Sequence, residues 1–322
     1  MKKFTKLALV SSLAISANAM AMQAMDDASL GATTGQDGLS IGIGISKIEI
    51  EKLFIHDNDG LEVAKGGTGE AGAIYIKANG SGATTAHGIV ISANYDASPT
   101  GPAGSYLLPS RNLADLQIDS DANGGNPFIN IAAQVSGLDI NIGEIGVVAS
   151  GDAPAANAAT IRRGGTGQEN AILTGLSVKT GQMAANIQLG AAPQGAMIKL
   201  NATMVGGLTI TDLGILDNST KTATRAAGVI HLDKIQVADA NSRNLVLNQS
   251  ISVFGEEGAD KGYVRIVSTS GAHDNYIQGI HLGSKTAASI GDMEIQGMQT
   301  YYGSPAVGGV YTPGAIITIR GH

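Results

Sequence analysis

The chain has 322 residues, with 27 acidic against 20 basic side chains, 45 glycines, no cysteine, no tryptophan and an aromatic share of 4%. Without cysteine there is no thiol nucleophile, thiolate metal ligand or disulfide, and an acidic chain without a basic run has no electrostatic footprint for nucleic acid or anionic lipid. The length allows one large folded unit or two to three smaller ones, and glycine at about twice its usual ~7% share disfavours helices.

Residues 1–21 read as an export signal. Lys2, Lys3 and Lys6 form a positive start, Leu7 to Ile15 an apolar core, and Ala17-Asn18-Ala19 and Ala19-Met20-Ala21 offer small-residue cleavage sites. The apolar core is about half the ~20 residues needed to span a bilayer, so no transmembrane segment is expected. Cleavage removes three lysines and deepens the acidic balance of the mature chain.

Residues 22–60 follow. Here "LSIGIGISKIEIEKLFIHDNDG" begins at Leu39 with Ile41, Ile43 and Ile45 alternating with small residues, so that three isoleucines share one face of an extended strand. Their bare opposite face, Ser40, Gly42 and Gly44, lets a second backbone approach, which marks Ile41, Ile43 and Ile45 as a candidate assembly strand for addition to a neighbouring subunit, the alternative being a strand that caps the chain's own β-coil. From Ile43 onward the apolar positions step by two and three in turn, through Ile45, Ile48, Ile50, Leu53 and Ile55. A step of two keeps the face; a step of three keeps it only where the backbone bulges or turns a corner.

The same rhythm begins again at Ile140, Leu208 and Ile230, with corner-tolerant residues such as Gly143, Asp212, Gly279 and Gly297 at its three-steps. Across 61–322, short aliphatic alternations such as "AIYIK", "FINIA", "NLVLN" and "AIITIR" are separated by Gly, Asn, Asp, Ser, Thr and Pro clusters. That is the punctuation of an all-β protein. "KGGTGEAGAIYI" at Lys65 and "RGGTGQENAIL" at Arg163 add self-similarity at a longer period, roughly 90 residues. The expected architecture is a stack of short strands like a β-solenoid or β-roll, with tandem β-sandwich beads as the alternative. Its units lie near 48–139, 140–229, 230–292 and 293–322.

Little in this stretch reads as chemistry. "DSDANGG" places Asp119, Asp121 and Asn123 at alternate positions before a glycine, as a calcium loop does, but its twelfth position is Asn130 rather than a bidentate Glu. These three are retained as a candidate calcium set; no other cofactor is expected. The two GGTG segments lead into strand patterns rather than a Lys-Ser/Thr and a helix, which favours tight turns over phosphate loops. "GLSIG" at Gly38 matches a nucleophile elbow by letter only, because alternating isoleucines follow it where a helix should. The histidines are scattered without ligand spacing, so no enzyme is expected.

Met22, Met25, Asp26, Asp27, Leu30, Thr34, Gly35, Gln36 and Gly38, followed by the ladder Ile41, Ile43 and Ile45, resemble the N-terminus of the FilA family of pilus-system proteins of Gram-negative bacteria. Gly31 departs from that pattern, where Ser is more usual. The resemblance covers residues 22–60 and transfers no catalytic residue. It implies an exported structural subunit of a surface pilus or fimbria, located at the cell surface or outside the cell, acting in adhesion or biofilm. Its expected partners are further copies of itself and outer-membrane pilus assembly components. The alternative function is a secreted β-helix protein that binds or acts on carbohydrate, for which Tyr263, Tyr276, Tyr301, Tyr302 and Tyr311 offer aromatic surfaces. An outer-membrane barrel fits less well, since the strands are short and "TIRGH" lacks a terminal aromatic.

Overall fold

A computed structural model describes residues 38–97, 101–255, 262–303 and 310–321. Among them the helical pieces are three-residue 3₁₀ turns such as Val63–Lys65 and Gly82–Thr84, and the rest of the regular structure is strand. Ser40–His322 forms one compact unit, separate from Met1–Leu39.

The described residues make eight passes. The first holds β1 (Leu39–Ile43), β2 (Lys47–Ile50) and β3 (Leu53–Asp57); the second, β4 (Gly72–Lys77), β5 (Ile89–Ala93) and β6 (Ala114–Asp121). The third holds β7 (Phe128–Val135), β8 (Leu138–Ile142) and β9 (Glu144–Ser150); the fourth, β10 (Gly165–Leu173), β11 (Leu176–Lys179) and β12 (Met183–Gly190). The fifth holds β13 (Ile198–Met204) and β14 (Leu208–Asp217); the sixth, β15 (Gly228–Asp239) and β16 (Leu245–Phe254). The seventh holds β17 (Tyr263–Ser268) and β18 (His273–Leu282). The eighth runs from β19 (Met293–Met298) through the small pair β20 (Tyr301–Tyr302) and β21 (Thr312–Pro313) to β22 (Ala315–Ile319).

Two sheets collect these strands in pass order. An eight-stranded sheet runs β1-β6-β7-β12-β13-β16-β17-β22; a twelve-stranded sheet runs β2-β5-β8-β11-β14-β15-β18-β19, with β10-β9-β4-β3 branching from β14. The protein is therefore all-β, as its punctuation predicts. The rungs are antiparallel neighbours in a meander, as in the pairings of β5 with β8 and β14 with β15, and not parallel turns of a coil. Of the expected unit boundaries, Ile140 and Ile230 lie within β8 and β15, and Met293 begins β19.

The three-steps mark a crease across the twelve-stranded sheet. Thr211 pairs with Lys234 and Leu213 with Leu232, so Asp212 and Asp233 drop out of the ladder together. Asp233 and Gly279 do the same between β15 and β18. Asp212 and Gly279 reach this geometry in the left-handed region, at φ 63° and 65°. In the earlier passes the crease splits the strand outright. Gly143 separates β8 from β9, and a Cβ there would collide with the Lys77 carbonyl oxygen.

On either side of the crease the steps of two align apolar rows. Ile48, Ile91, Ile140, Val178, Ile210, Ile235, Ile277 and Met293 are successive partners across the twelve-stranded sheet. Ile118, Ile131, Ile187, Ile198, Ile251, Ile266 and Ile317 form the corresponding row of the eight-stranded sheet. These side chains fit a pleated, partly buried surface, the environment in which β-branched residues are enriched.

Beyond the crease the buried cluster is Ala73, Tyr75 and Val148, with Phe54 packed on it. Gly146 stands opposite Tyr75 in the register, and its missing side chain leaves room for the Tyr75 ring. Where the passes change sheets, buried polar groups secure the join. Asn94 Nδ2 donates to the Thr180 carbonyl at 3.1 Å, the Leu138 amide donates to Thr180 Oγ1 at 2.9 Å, and Ser136 Oγ donates to the Asn112 carbonyl at 2.6 Å.

Candidate functional site

The crease brings together side chains that are far apart in sequence. His231 and His281 are register partners, each lying between two apolar residues of a two-step, and each is two positions from a bulge. His231 is 1% exposed, and its Nε2, buried without a hydrogen-bond partner, lies 3.4 Å from Asp212 Oδ1 and 3.4 Å from Asp233 Oδ1. His281 Nε2 meets Asp233 Oδ2 at 3.2 Å while its Nδ1 lies 2.6 Å from the Ala287 carbonyl. Lys285 closes the chain by pairing with Asp212.

Burial pushes the His231 imidazole below its ordinary value, against the pull of Asp212 and Asp233. The Ala287 carbonyl and then Asp233 hold His281 above it. Two neighbouring imidazoles are thus driven in opposite directions. Asp212, His231 and Lys285 line one wall of a polar cleft of about 340 Å³; Asn79, Asn141 and Ser177 line the other. Serine and amide groups there are already paired: Ser177 Oγ donates to Asn141 Oδ1 at 2.6 Å, and Asn79 Nδ2 to the Thr174 carbonyl at 3.0 Å.

A second depression lies where the passes change sheets. Its two parts, about 220 and 710 Å³, share Ala97, Tyr106, Gly206 and Thr209. Lys179 in the smaller part meets Asp96 at 2.6 Å and Asp139 at 3.7 Å; burial opposes its charge, and these carboxylates more than offset that, so its pKa is raised. Arg243, Tyr276 and Glu294 line the larger part. The Tyr276 hydroxyl donates to Asp292 Oδ2 at 2.7 Å, a bond that raises the pKa of the phenol.

The candidate assembly strand falls at an edge. Ile41 and Ile43 lie in β1 and Ile45 just beyond it; Ile41 and Ile45 are exposed, and the Ile43 carbonyl accepts from the Leu113 amide at 2.9 Å. β1 thus belongs to the chain's own sheet on one side, and among the described residues its other side is unpaired. The bare face at Gly42 is approached by the Asn112 side chain.

The calcium candidates are separated in role. Asp119 pairs with Asn130 across β6 and β7, while Asp121 Oδ1 accepts from the Asn123 amide at 2.5 Å in a local turn. Among the described residues no group of three or more His, Asp or Glu side chains is arranged to hold a metal ion. The first GGTG segment forms a turn leading into β4, with positive φ at Gly66 and Gly69; the second departs from the expected tight turn, since Gly165 to Gly167 already belong to β10, with positive φ at Gly164 and Gly167 and a register shift between Thr166 and Asn170. Of the five tyrosines singled out from the sequence, Tyr276 lines the larger depression, together with Tyr106, while Tyr263 stacks on Phe254 at 4.8 Å and Tyr301 meets Tyr311 edge-on at 6.2 Å. The export signal lies outside the described residues.

The crease cluster was not found from sequence because its members are spread from Asp212 to Lys285. The available signal was that His231 and His281 each occupy the middle of an apolar two-step beside a three-step.

A family model described as a family of unknown function, DUF6160, matches residues 1–97 of this chain, a stretch that includes β1 to β5. No curated protein and no solved structure matches the chain.

Proposed function

We propose that the chain is an exported structural subunit of a surface filament of the pilus or fimbria type, with a role in adhesion or biofilm. Copies associate with one another and with outer-membrane assembly components. One observation carries this reading: the eight-stranded sheet ends in two short strands, β1 and β22, whose sequences LSIGI and AIITI contain no charge and no proline. Natural sheet edges are ordinarily blunted by such residues, because an unpaired edge is a template for another chain. Ile316, Ile317 and Ile319 on β22 are 38%, 52% and 55% exposed, so this edge also presents apolar side chains. The N-terminal resemblance to the FilA family points the same way.

Negative-stain imaging of cells with and without the gene tests the proposal. Filaments should be lost with the gene and restored by wild-type protein. Ile43→Asp should abolish filaments while leaving folded monomer, since β1 is an edge strand. Identical surfaces with and without the gene would refute the filament reading.

The larger depression favours one second reading, a carbohydrate-binding surface. Tyr106 and Tyr276 border it with Arg243 and Glu294, and Arg243 has no side-chain partner among the described residues. Glycan-array binding lost in Tyr276→Ala would support it, and no binding to any glycan would dismiss it.

A further inference from the structure

We propose that the two outer edges of the fold are complementary, and that a second copy of this chain adds in register, pass eight of one molecule against pass one of the next. The inference rests on the structural-subunit reading and specifies the contact it requires. Direction comes first. With eight antiparallel passes, the first and last run in opposite senses, so a translated copy continues the antiparallel pattern without being inverted.

The backbone is available at both edges. On the first side β1 and β2, and on the last side β22 and β19, have no strand beyond them among the described residues. β1 and β22 are each five residues long.

Side chains fix the register. A polar row runs across the twelve-stranded sheet from Lys47 through Ser92, Asp139, Lys179, Thr209, Gln236 and Tyr276 to Glu294. It starts in a cation at one edge and ends in an anion at the other. The adjacent apolar row starts in Ile48 and ends in Met293, which is 43% exposed. Placing a second copy one strand spacing beyond the edge sets its Lys47 opposite Glu294 and its Ile48 opposite Met293. Among the described residues Lys47 pairs with Glu49 on its own strand, at 2.6 Å, and both side chains are solvent-exposed.

A contact that joins two different patches does not close by two-fold symmetry. Unless the rotation between copies closes a ring, it repeats into an open filament. The charges discriminate between registers, because a slip of two residues sets Glu49 opposite Glu294, and like charges directly opposite are destabilising.

The absence of cysteine makes the test clean. Directly opposed residues of an antiparallel pair have Cβ atoms about 4.5–5.5 Å apart, close to disulfide reach. Full-length Lys47→Cys and Glu294→Cys proteins are mixed under mild oxidation, with Glu49→Cys as the out-of-register control. The mixed pair should form a cross-linked heterodimer at least fivefold more than either protein alone or the Glu49→Cys and Glu294→Cys pair. The double variant should give a ladder of multimers on a non-reducing gel. Lys47→Glu and Glu294→Lys should each lower the sedimentable polymer fraction, and together restore it. An intrachain disulfide without multimers would mean that the edges close on each other within one molecule, and predominant homodimers would mean a symmetric contact; either overturns the proposal. Wild-type polymer without the cross-link would place the contact elsewhere while leaving the filament reading intact. Wild-type protein that never polymerises would overturn both.

Discussion

Tyr75→Ala should be among the most damaging single substitutions in the protein. Tyr75 is 1% exposed, packs with Ala73, Val148 and Phe54, and donates its hydroxyl to Glu144 Oε1 at 2.8 Å. Removing a buried aromatic ring costs about 3–5 kcal/mol, and the glycine opposite provides no side chain to fill the cavity. Tyr75→Phe isolates the hydroxyl. A hydrogen bond to a charged group is worth about 1.5–3 kcal/mol, but Lys77 also reaches Glu144, at 3.2 Å, so the carboxylate keeps a partner and about 1–2 kcal/mol is expected. Gly146→Ala attacks the same contact from the other side, since its Cβ would collide with Tyr75 Oη and with the Asn170 carbonyl oxygen. Urea unfolding followed by circular dichroism measures all three, provided the m-value stays constant. A loss below about 1 kcal/mol for Tyr75→Ala would refute the claim that this cluster anchors the far side of the crease.

Ile210→Asp should cost several kcal/mol, because a charge between Val178 and Ile235 in the apolar row has no partner; a change under about 0.5 kcal/mol in the same unfolding assay would remove the row from the core. Asp212→Gly should be nearly neutral, since its ion pair with Lys285 is exposed, whereas Asp212→Val should lose about 1–2 kcal/mol from placing a β-branched residue at φ 63°; equal effects would dismiss backbone strain as the cause. The crease histidines give opposite pH dependences. His231, held below its ordinary value, contributes stability above that value and loses it as pH falls towards the folded value; His281, held above, contributes at low pH and loses it as pH rises through its folded value. Melting temperatures between pH 5 and 8 should therefore fall less on acidification in His231→Gln and more in His281→Gln than in wild type, and parallel profiles would contradict the assignment.

The all-β class was legible because its signal is local: an alternation such as "FINIA", Phe128 to Ala132, needs no knowledge of what lies beside it, and it does begin β7. The crease was legible for the same reason. Ile210 to Leu213 and Ile277 to Ile280 announce a lost residue, and Asp212 and Gly279 are the residues that leave the ladder. Pairing was not legible. A two-three rhythm says that a strand turns a corner, but it is silent on whether its neighbour is the next turn of a coil or the returning arm of a meander, since both bury the same face. The similar stretches "LADLQI" from Leu113 and "ITDLGI" from Ile210 show the limit, because they stand in different sheets, the first in β6 and the second in β14. The site was hidden for a related reason. His231 meets His281, Asp212 and Lys285 only through the register of β14, β15 and β18, and register is a long-range property.

The position of that site follows from the corner itself. A residue that leaves the ladder gives up its cross-strand partner and turns its side chain out of the pleat, so each bulge frees one position for a polar group. At Gly143 and Gly279 the freed position carries nothing, but at Asp212 and Asp233 it carries a carboxylate. Two carboxylates are thus freed on adjacent strands, and His231, two positions along β15 from Asp233, places its Nε2 3.4 Å from each. Asp212 accepts an uncommon backbone conformation at φ 63°, where glycine would be easier and where the corner of β18 uses Gly279. Strain of this kind persists where the surroundings over-determine it, and here the surroundings are Lys285 and His231. The corner that lets a long strand bend is therefore also the device that brings Asp212, Asp233, His231 and Lys285 together.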